Sequence, residues 1–177
     1  MTIDSNVWDL FFRLDLKMTV ELSSSDFILF IPREIEIEIA AIPPRNAALK
    51  AYIAREMEAA AIGVTATFGF ARHEPGPERH GGFGVGTFQS EDARALYAAV
   101  RHPYLTGRGE KGSGLTGNEG DAALAAASLS SVVLTFDMKP GPLVVALQYG
   151  GKVLDMTPFE DSGSSLADYI MAYHRLI

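Results

Sequence analysis

The fold is decided by residues 118–137, which read NEGDAALAAASLSSVVLTFD. Residues 121–129 are rich in Ala and Leu, which favour a helix. Residues 132–136 are β-branched, aromatic and almost continuously apolar, which is typical of a strand buried on both faces of a parallel sheet. Asp121 lies in the first turn of the helix, and Asp137 directly follows the strand. Because ligand sites of open α/β sheets lie beyond the carboxyl ends of strands, both carboxylates are expected at one edge if the helix begins there.

The same alternation of strand and helix extends towards the N-terminus. A first strand is predicted to end near Asp4, and a helix is predicted to follow it as far as residue 22. An apolar run at 27–31 predicts a second strand, which Pro32 ends. Residues 33–39 alternate acidic and apolar side chains, and we interpret them as a helix because proline is common at helix starts.

The remaining segments continue the pattern. Strands are predicted at 64–70 and 152–156, and helices at 47–61, where Asn46 is the expected cap, at 91–100 after Ser90, at 143–148 and at 165–176. Alternating strands and helices predict an α/β protein with a mostly parallel sheet that is covered on both faces.

Composition limits the class of protein. A chain of 177 residues predicts a single domain over 1–177, and it contains no cysteine, which excludes disulfides and zinc–thiolate sites. No apolar run approaches the ~20 residues of a membrane helix, and the first residues lack the basic flank and apolar core of a signal peptide. We therefore expect a cytoplasmic protein with no membrane partner. The net charge of −7 argues against a dedicated binder of duplex DNA.

A Gly-, Pro- and His-rich insertion occupies residues 63–90, and loops of this length in compact domains are usually functional or disordered. Residues 62–111 carry six Lys and Arg against five Asp and Glu, so this segment is the candidate for an RNA-facing rim. The side chains predicted to contact RNA phosphates are Arg72, His73, Arg79 and His80.

Four acidic side chains come at the ends of predicted elements: Asp4, Glu38, Asp121 and Asp137. If folding brings them together, their like charges require compensation, which Mg²⁺ or Mn²⁺ supplies through oxygen ligands. Such sites hydrolyse phosphodiesters, with ions ~3.5–4 Å apart where two are bound. Two alternatives stay open, because Glu34 shares the helical face of Glu38 and Glu119 neighbours Asp121.

The four acids belong to four short sequence blocks, which are Asp4-x-Asn6, Pro32-x5-Glu38, Asn118-x2-Asp121 and Thr135-x-Asp137. In this order, the blocks resemble those of the PIN-domain nucleases. The resemblance implies a three-layer α/β/α sandwich and a Mg²⁺- or Mn²⁺-dependent ribonuclease, often a toxin that an antitoxin protein neutralises. It also implies that the four acids bind metal or position water, and that Asn6 and Thr135 orient them.

Two features depart from the family pattern. Gly120 is unusual at a helix start, where it costs up to ~1 kcal/mol relative to Ala, and the 63–90 insertion is longer than the middle segment of compact toxins. Two other hypotheses are a non-catalytic PIN-like binding module and a different metal-dependent phosphohydrolase, since fold alone does not fix function. The sequence leaves open the RNA target, the existence of an antitoxin and whether the chain forms a homodimer.

Overall fold

The computed structural model describes residues 1–68, 78–82, 86–87, 90–105 and 112–177. The strands in this part of the chain are β1 (Thr2–Ile3), β2 (Phe30–Pro32), β3 (Gly63–Phe68), β4 (His80–Gly81), β5 (Gly86–Thr87), β6 (Val133–Thr135) and β7 (Val153–Asp155). The α-helices there are α1 (Val7–Arg13), α2 (Met18–Glu21), α3 (Arg33–Ala40), α4 (Ala47–Ala59), α5 (Glu91–Tyr104), α6 (Glu119–Ser128), α7 (Pro142–Gln148), α8 (Phe159–Ser162) and α9 (Leu166–His174). A 3-10 turn, Pro44–Asn46, precedes α4.

The strands form one sheet in the order β4-β3-β2-β1-β6-β7, and β5 also pairs with β3. Every strand pairing within the described residues is parallel. Helices α1 and α2 pack against α4, and α3, α5, α6 and α7 form a second packed group. The predicted α/β class and the mostly parallel sheet are confirmed, and the arrangement is compatible with three layers.

The strand order contains a switch point between β1 and β6. From β1 the chain moves outward through β2 to β3, and it later returns to the other side of β1 with β6 and β7. Helices that follow β1 and β6 can therefore leave a crevice beyond the carboxyl ends of these two strands, which is where open α/β sheets bind ligands. Asp4 directly follows β1, and Thr135 is the last residue of β6.

The centre of the sheet is closed to solvent, as its apolar sequence predicts. All three residues of β6 are buried, and Ile3 and Leu134 pair across the β1–β6 boundary with no exposed surface. The aromatic side chains of α1 cover this region, with the rings of Trp8 and Phe11 edge-to-face at 5.8 Å between centroids. A rigid apolar platform of this kind holds the ends of β1 and β6 in a fixed register.

One predicted helix near the N-terminus differs from the structure. The helix expected to run to residue 22 is broken into α1 and α2, and Asp15 in the break has a φ of 49°. The break is stabilised by Glu56, whose buried carboxylate accepts a hydrogen bond of 2.9 Å from the Met18 backbone N–H at the start of α2. A contact between residues 38 positions apart is not visible in local sequence patterns.

Other helix boundaries follow the expected signals more closely. The ambiguous residues 33–39 are helical, with Pro32 as the cap residue of α3, so the interpretation as a helix is confirmed. Ser90 caps α5 by accepting from the Ala93 N–H at 3.1 Å, as predicted. Asn46 precedes α4 but makes no capping hydrogen bond through its side chain. Among the helices described, none is long and apolar enough to cross a membrane.

Candidate functional site

Asp4 and Thr135 are brought together by the register of the sheet. Ile3 pairs with Leu134, and the Asp4 N–H donates to the Leu134 carbonyl at 3.1 Å. The next residue on each strand is therefore Asp4 beside Thr135, and the Thr135 hydroxyl donates to Asp4 Oδ2 at 2.6 Å. Both side chains are buried, with Asp4 only 3% exposed. A short bond of this kind to a carboxylate fixes its orientation.

Thr135 is also the centre of a wider hydrogen-bond network. Its Oγ1 accepts from the Asp137 backbone N–H at 2.9 Å and from Asn6 Nδ2 at 3.4 Å. Asn6 Oδ1 in turn accepts from the Phe136 N–H at 3.1 Å. The network connects the segment after β1 to the segment after β6, so Asn6 and Thr135 together orient Asp4. The Thr135 hydroxyl donates one hydrogen bond and accepts two, which is its full capacity.

Glu38 reaches the same edge of the sheet from α3. Ser5 Oγ donates to Glu38 Oε2 at 2.8 Å and lies 3.3 Å from Asp4 Oδ1. One hydroxyl has one proton to donate, so the shorter contact to Glu38 is the hydrogen bond we assign. Ser5 was not among the predicted site residues, although its place between Asp4 and Asn6 in the first sequence block is the signal that could have found it.

Asp121 enters through the start of α6, and Gly120 explains how closely this helix approaches α3. A Cβ atom on Gly120 would lie 3.0 Å from Glu38 Oε1 and 3.3 Å from Ile35 Cδ1. The glycine that appeared out of place in a helix start therefore makes room for the Glu38 carboxylate, one residue before Asp121. We call Asp4, Glu38 and Asp121 the carboxylate cluster.

The electrostatics of Asp4 reflect this cluster. Burial, with smaller contributions from the negative charges of Asp121 and Glu38, raises the pKa of Asp4 to about 6 against the hydrogen bonds from Thr135 and the Ser5 backbone. Burial and two nearby carboxylates together make Asp4 hard to ionise unless positive charge is supplied.

Glu119 has a different role from its neighbour Asp121. Its Oε2 accepts from the Thr116 backbone N–H at 2.9 Å and from the Thr116 hydroxyl at 3.0 Å. It also pairs with the Arg79 guanidinium, which donates to the Gly114 carbonyl at 3.1 Å. Burial acts to raise the pKa of Glu119, but the bonds from Arg79 and Thr116 outweigh it and lower the pKa. Glu119 thus anchors the start of α6 to the segment before it and, through Arg79, to the residue that precedes β4.

Glu34 is influenced by Glu119 rather than by Asp4. Burial, aided by the charge of Glu119, raises the pKa of Glu34 to about 7 against a backbone hydrogen bond and the charges of Arg79 and Arg33. The electrostatics therefore distinguish the alternatives left open by the sequence, because Glu38 is the α3 acid that acts on Asp4, and Asp121 is the α6 acid that does so.

The other predicted site residues take varied positions. Asp137 follows β6, and its Oδ1 accepts from the Lys139 N–H at 3.1 Å. Of the residues predicted to contact RNA, Arg79 is bonded to Glu119, and the His80 N–H donates to Glu78 Oε1 at 2.8 Å. Arg72 and His73 lie outside the described residues.

The cluster is not a finished coordination shell. Within the described part of the chain, no group of three or more Asp, Glu or His side chains is close enough together to hold a metal ion as it stands. A shallow cavity of about 290 Å³ opens beside Glu38 and is lined further by Ala41, Gly112 and Ser113. A more enclosed cavity of about 240 Å³ lies at the amino ends of the strands, near Met1, Val132 and Lys152, and thus at the opposite edge from the cluster.

Comparison with protein-family models, with curated proteins and with solved structures finds no match to this chain. The likeness to PIN-domain nucleases consequently remains a resemblance of four sequence blocks. The function has to be argued from the chemistry of the carboxylate cluster.

Replacing Thr135 by Val should show how much the hydrogen-bond network around Thr135 stabilises the fold. The variant removes the hydroxyl that donates to Asp4 and leaves the buried Asp4 carboxylate and the half-buried Asp137 N–H without this partner, so we expect a loss of about 2–4 kcal/mol in the free energy of unfolding. Thr135→Ser keeps the hydroxyl and should lose less than half as much. Urea denaturation at pH 7.5 measures both, and equal losses in the two variants would contradict a role for the hydroxyl.

Proposed function

We propose that this protein is a Mg²⁺- or Mn²⁺-dependent endoribonuclease with a three-layer, PIN-like fold. The observation that carries the proposal is the carboxylate cluster at the switch point, where Asp4 lies within electrostatic range of Glu38 and Asp121. Folding concentrates negative charge at the edge of the sheet where α/β proteins bind ligands. A divalent cation is the ligand class that best offsets such a concentration.

The donor atoms of the cluster fit a hard cation. Asp4, Glu38 and Asp121 offer carboxylate oxygens, and Asp137 follows the neighbouring strand as a fourth candidate. Oxygen-only donor sets suit Mg²⁺ and Mn²⁺, and the absence of cysteine from the sequence leaves no thiolate to favour a softer metal. When bound, such a cation supplies Lewis-acid activation of water and of the phosphate group.

The chain's own residues prepare this chemistry. Thr135 and Asn6 hold Asp4 in one orientation, and Ser5 fixes Glu38 from the same loop. Asp4 releases its proton around pH 6, so the site gains its full negative charge only above that pH. Metal uptake and activity are therefore expected to rise between about pH 5.5 and pH 7.

RNA is the substrate class that the segment at 62–111 favours, because its cations contrast with the net charge of −7 of the whole chain. The PIN-domain resemblance adds a role as the toxin of a toxin–antitoxin pair to the proposal, and the composition adds a cytoplasmic setting. Neither element is needed for the chemistry of the cluster, and the toxin role is tested separately by asking whether expression arrests growth and whether a co-purifying protein relieves the arrest.

Asp121→Asn tests the proposed function directly. With Mn²⁺ present, the wild-type protein should cleave a labelled single-stranded RNA, and the variant should lose at least ~100-fold in rate because a metal-binding carboxylate is gone. Asp161→Asn makes the same change at an exposed position of α8 and should cleave at the wild-type rate. Cleavage of bis(4-nitrophenyl) phosphate alone would favour another phosphohydrolase, and no hydrolysis of either substrate by the wild type would contradict the proposal.

A further inference from the structure

Helix α5 presents a basic and aromatic face to solvent. Its buried side consists of Ala93, Leu96 and Val100, spaced three and four residues apart. Arg94, Tyr97 and Arg101 repeat at the same spacing on the exposed side, and Tyr97 keeps 40% of its surface in contact with solvent. We call these three residues the outward face of α5. Residues at such spacing lie along one stripe of a helix.

The two arginines of the outward face are both exposed to solvent. In the part of the chain that the structure describes, neither Arg94 nor Arg101 makes an ion pair or a side-chain hydrogen bond. By contrast, the guanidinium groups of Arg33, Arg55 and Arg79 are each bonded to a glutamate. Exposed guanidinium groups without an internal partner are available to an external anion.

The outward face leads towards the carboxylate cluster. The α5 helix ends at Tyr104, whose carbonyl accepts from Asn118 Nδ2 at 3.1 Å. Asn118 directly precedes α6, and Asp121 lies in the first turn of that helix. Arg101 is therefore at the end of the face nearest the cluster, while the acidic residues Glu91 and Asp92 lie in the first turn of α5 at the far end.

We propose that the outward face of α5 binds single-stranded RNA and directs it to the carboxylate cluster, an inference that rests on the proposed ribonuclease function. Arg94 and Arg101 are ~10 Å apart along the helix and would contact phosphates on either side of a base stacked on Tyr97. Stacking on an aromatic side chain requires an unstacked base, which a single strand provides and a duplex does not. Local cations are needed because the chain as a whole repels RNA with a net charge of −7.

The test is the salt dependence of RNA binding, measured in EDTA so that no cleavage occurs. A fluorescein-labelled single-stranded oligoribonucleotide is titrated with the wild-type protein and with the double variant Arg94→Gln/Arg101→Gln at several KCl concentrations. Each phosphate contact contributes ~0.7 to the slope of log affinity against log salt, so the double variant should lower the slope by about 1.4. Tyr97→Ala should weaken binding about tenfold with an unchanged slope, because stacking releases no counterions, and Tyr97→Phe should restore most of the affinity.

The matched control is Lys152→Gln/Arg175→Gln, which removes the same charge at the opposite edge of the sheet, where Lys152 lines the second cavity and Arg175 ends α9. This control should keep the wild-type slope. An equal fall in slope for both double variants, an unchanged slope for Arg94→Gln/Arg101→Gln, or no RNA binding by the wild type would overturn the inference. Binding with the predicted slopes but without Mn²⁺-dependent cleavage would support the RNA surface and reject the ribonuclease proposal.

Discussion

Asp4→Asn is expected to raise the free energy of unfolding by about 1–3 kcal/mol at pH 7.5 and, in the same protein, to abolish RNA cleavage. The pKa of Asp4 is raised to about 6 by burial and by the neighbouring carboxylates, so ionising this side chain at neutral pH costs folding free energy. Asn keeps the shape of the side chain and can still accept the hydrogen bond from Thr135. It removes the charge on which metal binding depends.

The sign of the effect follows from the direction of the shift. Well below pH 4, Asp4 is protonated in both the folded and the unfolded chain, so it carries no charge and does not lower the free energy of unfolding. As the pH rises to about 6, the unfolded chain releases this proton before the folded chain does, so the free energy of unfolding of the wild type falls across this interval. It does not recover at higher pH. Asp4→Asn has no proton to release, so its advantage over the wild type grows between pH 4 and pH 6 and is constant thereafter.

Urea denaturation in EDTA between pH 4 and pH 8 measures this difference. Asp9→Asn is the matched control, because Asp9 is an exposed residue of α1 only five positions from Asp4. It should follow the wild-type profile within about 0.5 kcal/mol. Parallel pH profiles of the free energy of unfolding for Asp4→Asn and the wild type would mean that the surroundings do not destabilise the charged form of Asp4. The proposed cation site at this edge would then lose its main support.

The elements that build this edge were predictable because they depend on local patterns. The apolar run that became β6 and the Ala-rich segment that became α6 carry their structure in adjacent residues, and both lie where the sequence placed them. The resemblance to PIN-domain nucleases implied that Asn6 and Thr135 orient the acids, and Asp4 and Thr135 do lie together where the carboxyl ends of β1 and β6 share one edge of the sheet. The pairing of Ile3 with Leu134 between β1 and β6 then places Asp4 beside Thr135.

Block spacing selected Glu38 and Asp121 but left Glu34 and Glu119 open as alternatives, since packing between α3 and α6 decides which acids lie near Asp4. Glu34 and Glu38 share a face of α3, but it is the Glu38 carboxylate that lies against Gly120, while the charge of Glu119 acts on Glu34. Glu119 is withdrawn from the cluster by Arg79, which is 40 residues away in sequence. No spacing rule within either helix contains this information.

Mn²⁺ is expected to raise the melting temperature of the wild-type protein by about 5–10 °C and to leave that of Glu38→Gln nearly unchanged. A ligand at 100 times its dissociation constant stabilises the folded state by about 2.7 kcal/mol, and in a protein of this size each kcal/mol corresponds to about 2–4 °C. The Glu38 carboxylate accepts a hydrogen bond from Ser5 and lies against Gly120. Gln at this position removes the charged metal ligand but keeps an oxygen that can accept from Ser5.

Glu36→Gln is the control on the same helix, because Glu36 pairs with Arg33 rather than with the cluster. Its Mn²⁺ shift should equal that of the wild type, and an equal loss in both variants would assign the shift to the general acidity of α3. The wild-type shift should also shrink as the pH falls below 6, since protons then compete with the cation for Asp4. A pH-independent shift would place the bound cation elsewhere, whereas a shift that follows the pKa of Asp4 and requires Glu38 ties metal binding to the crevice between β1 and β6.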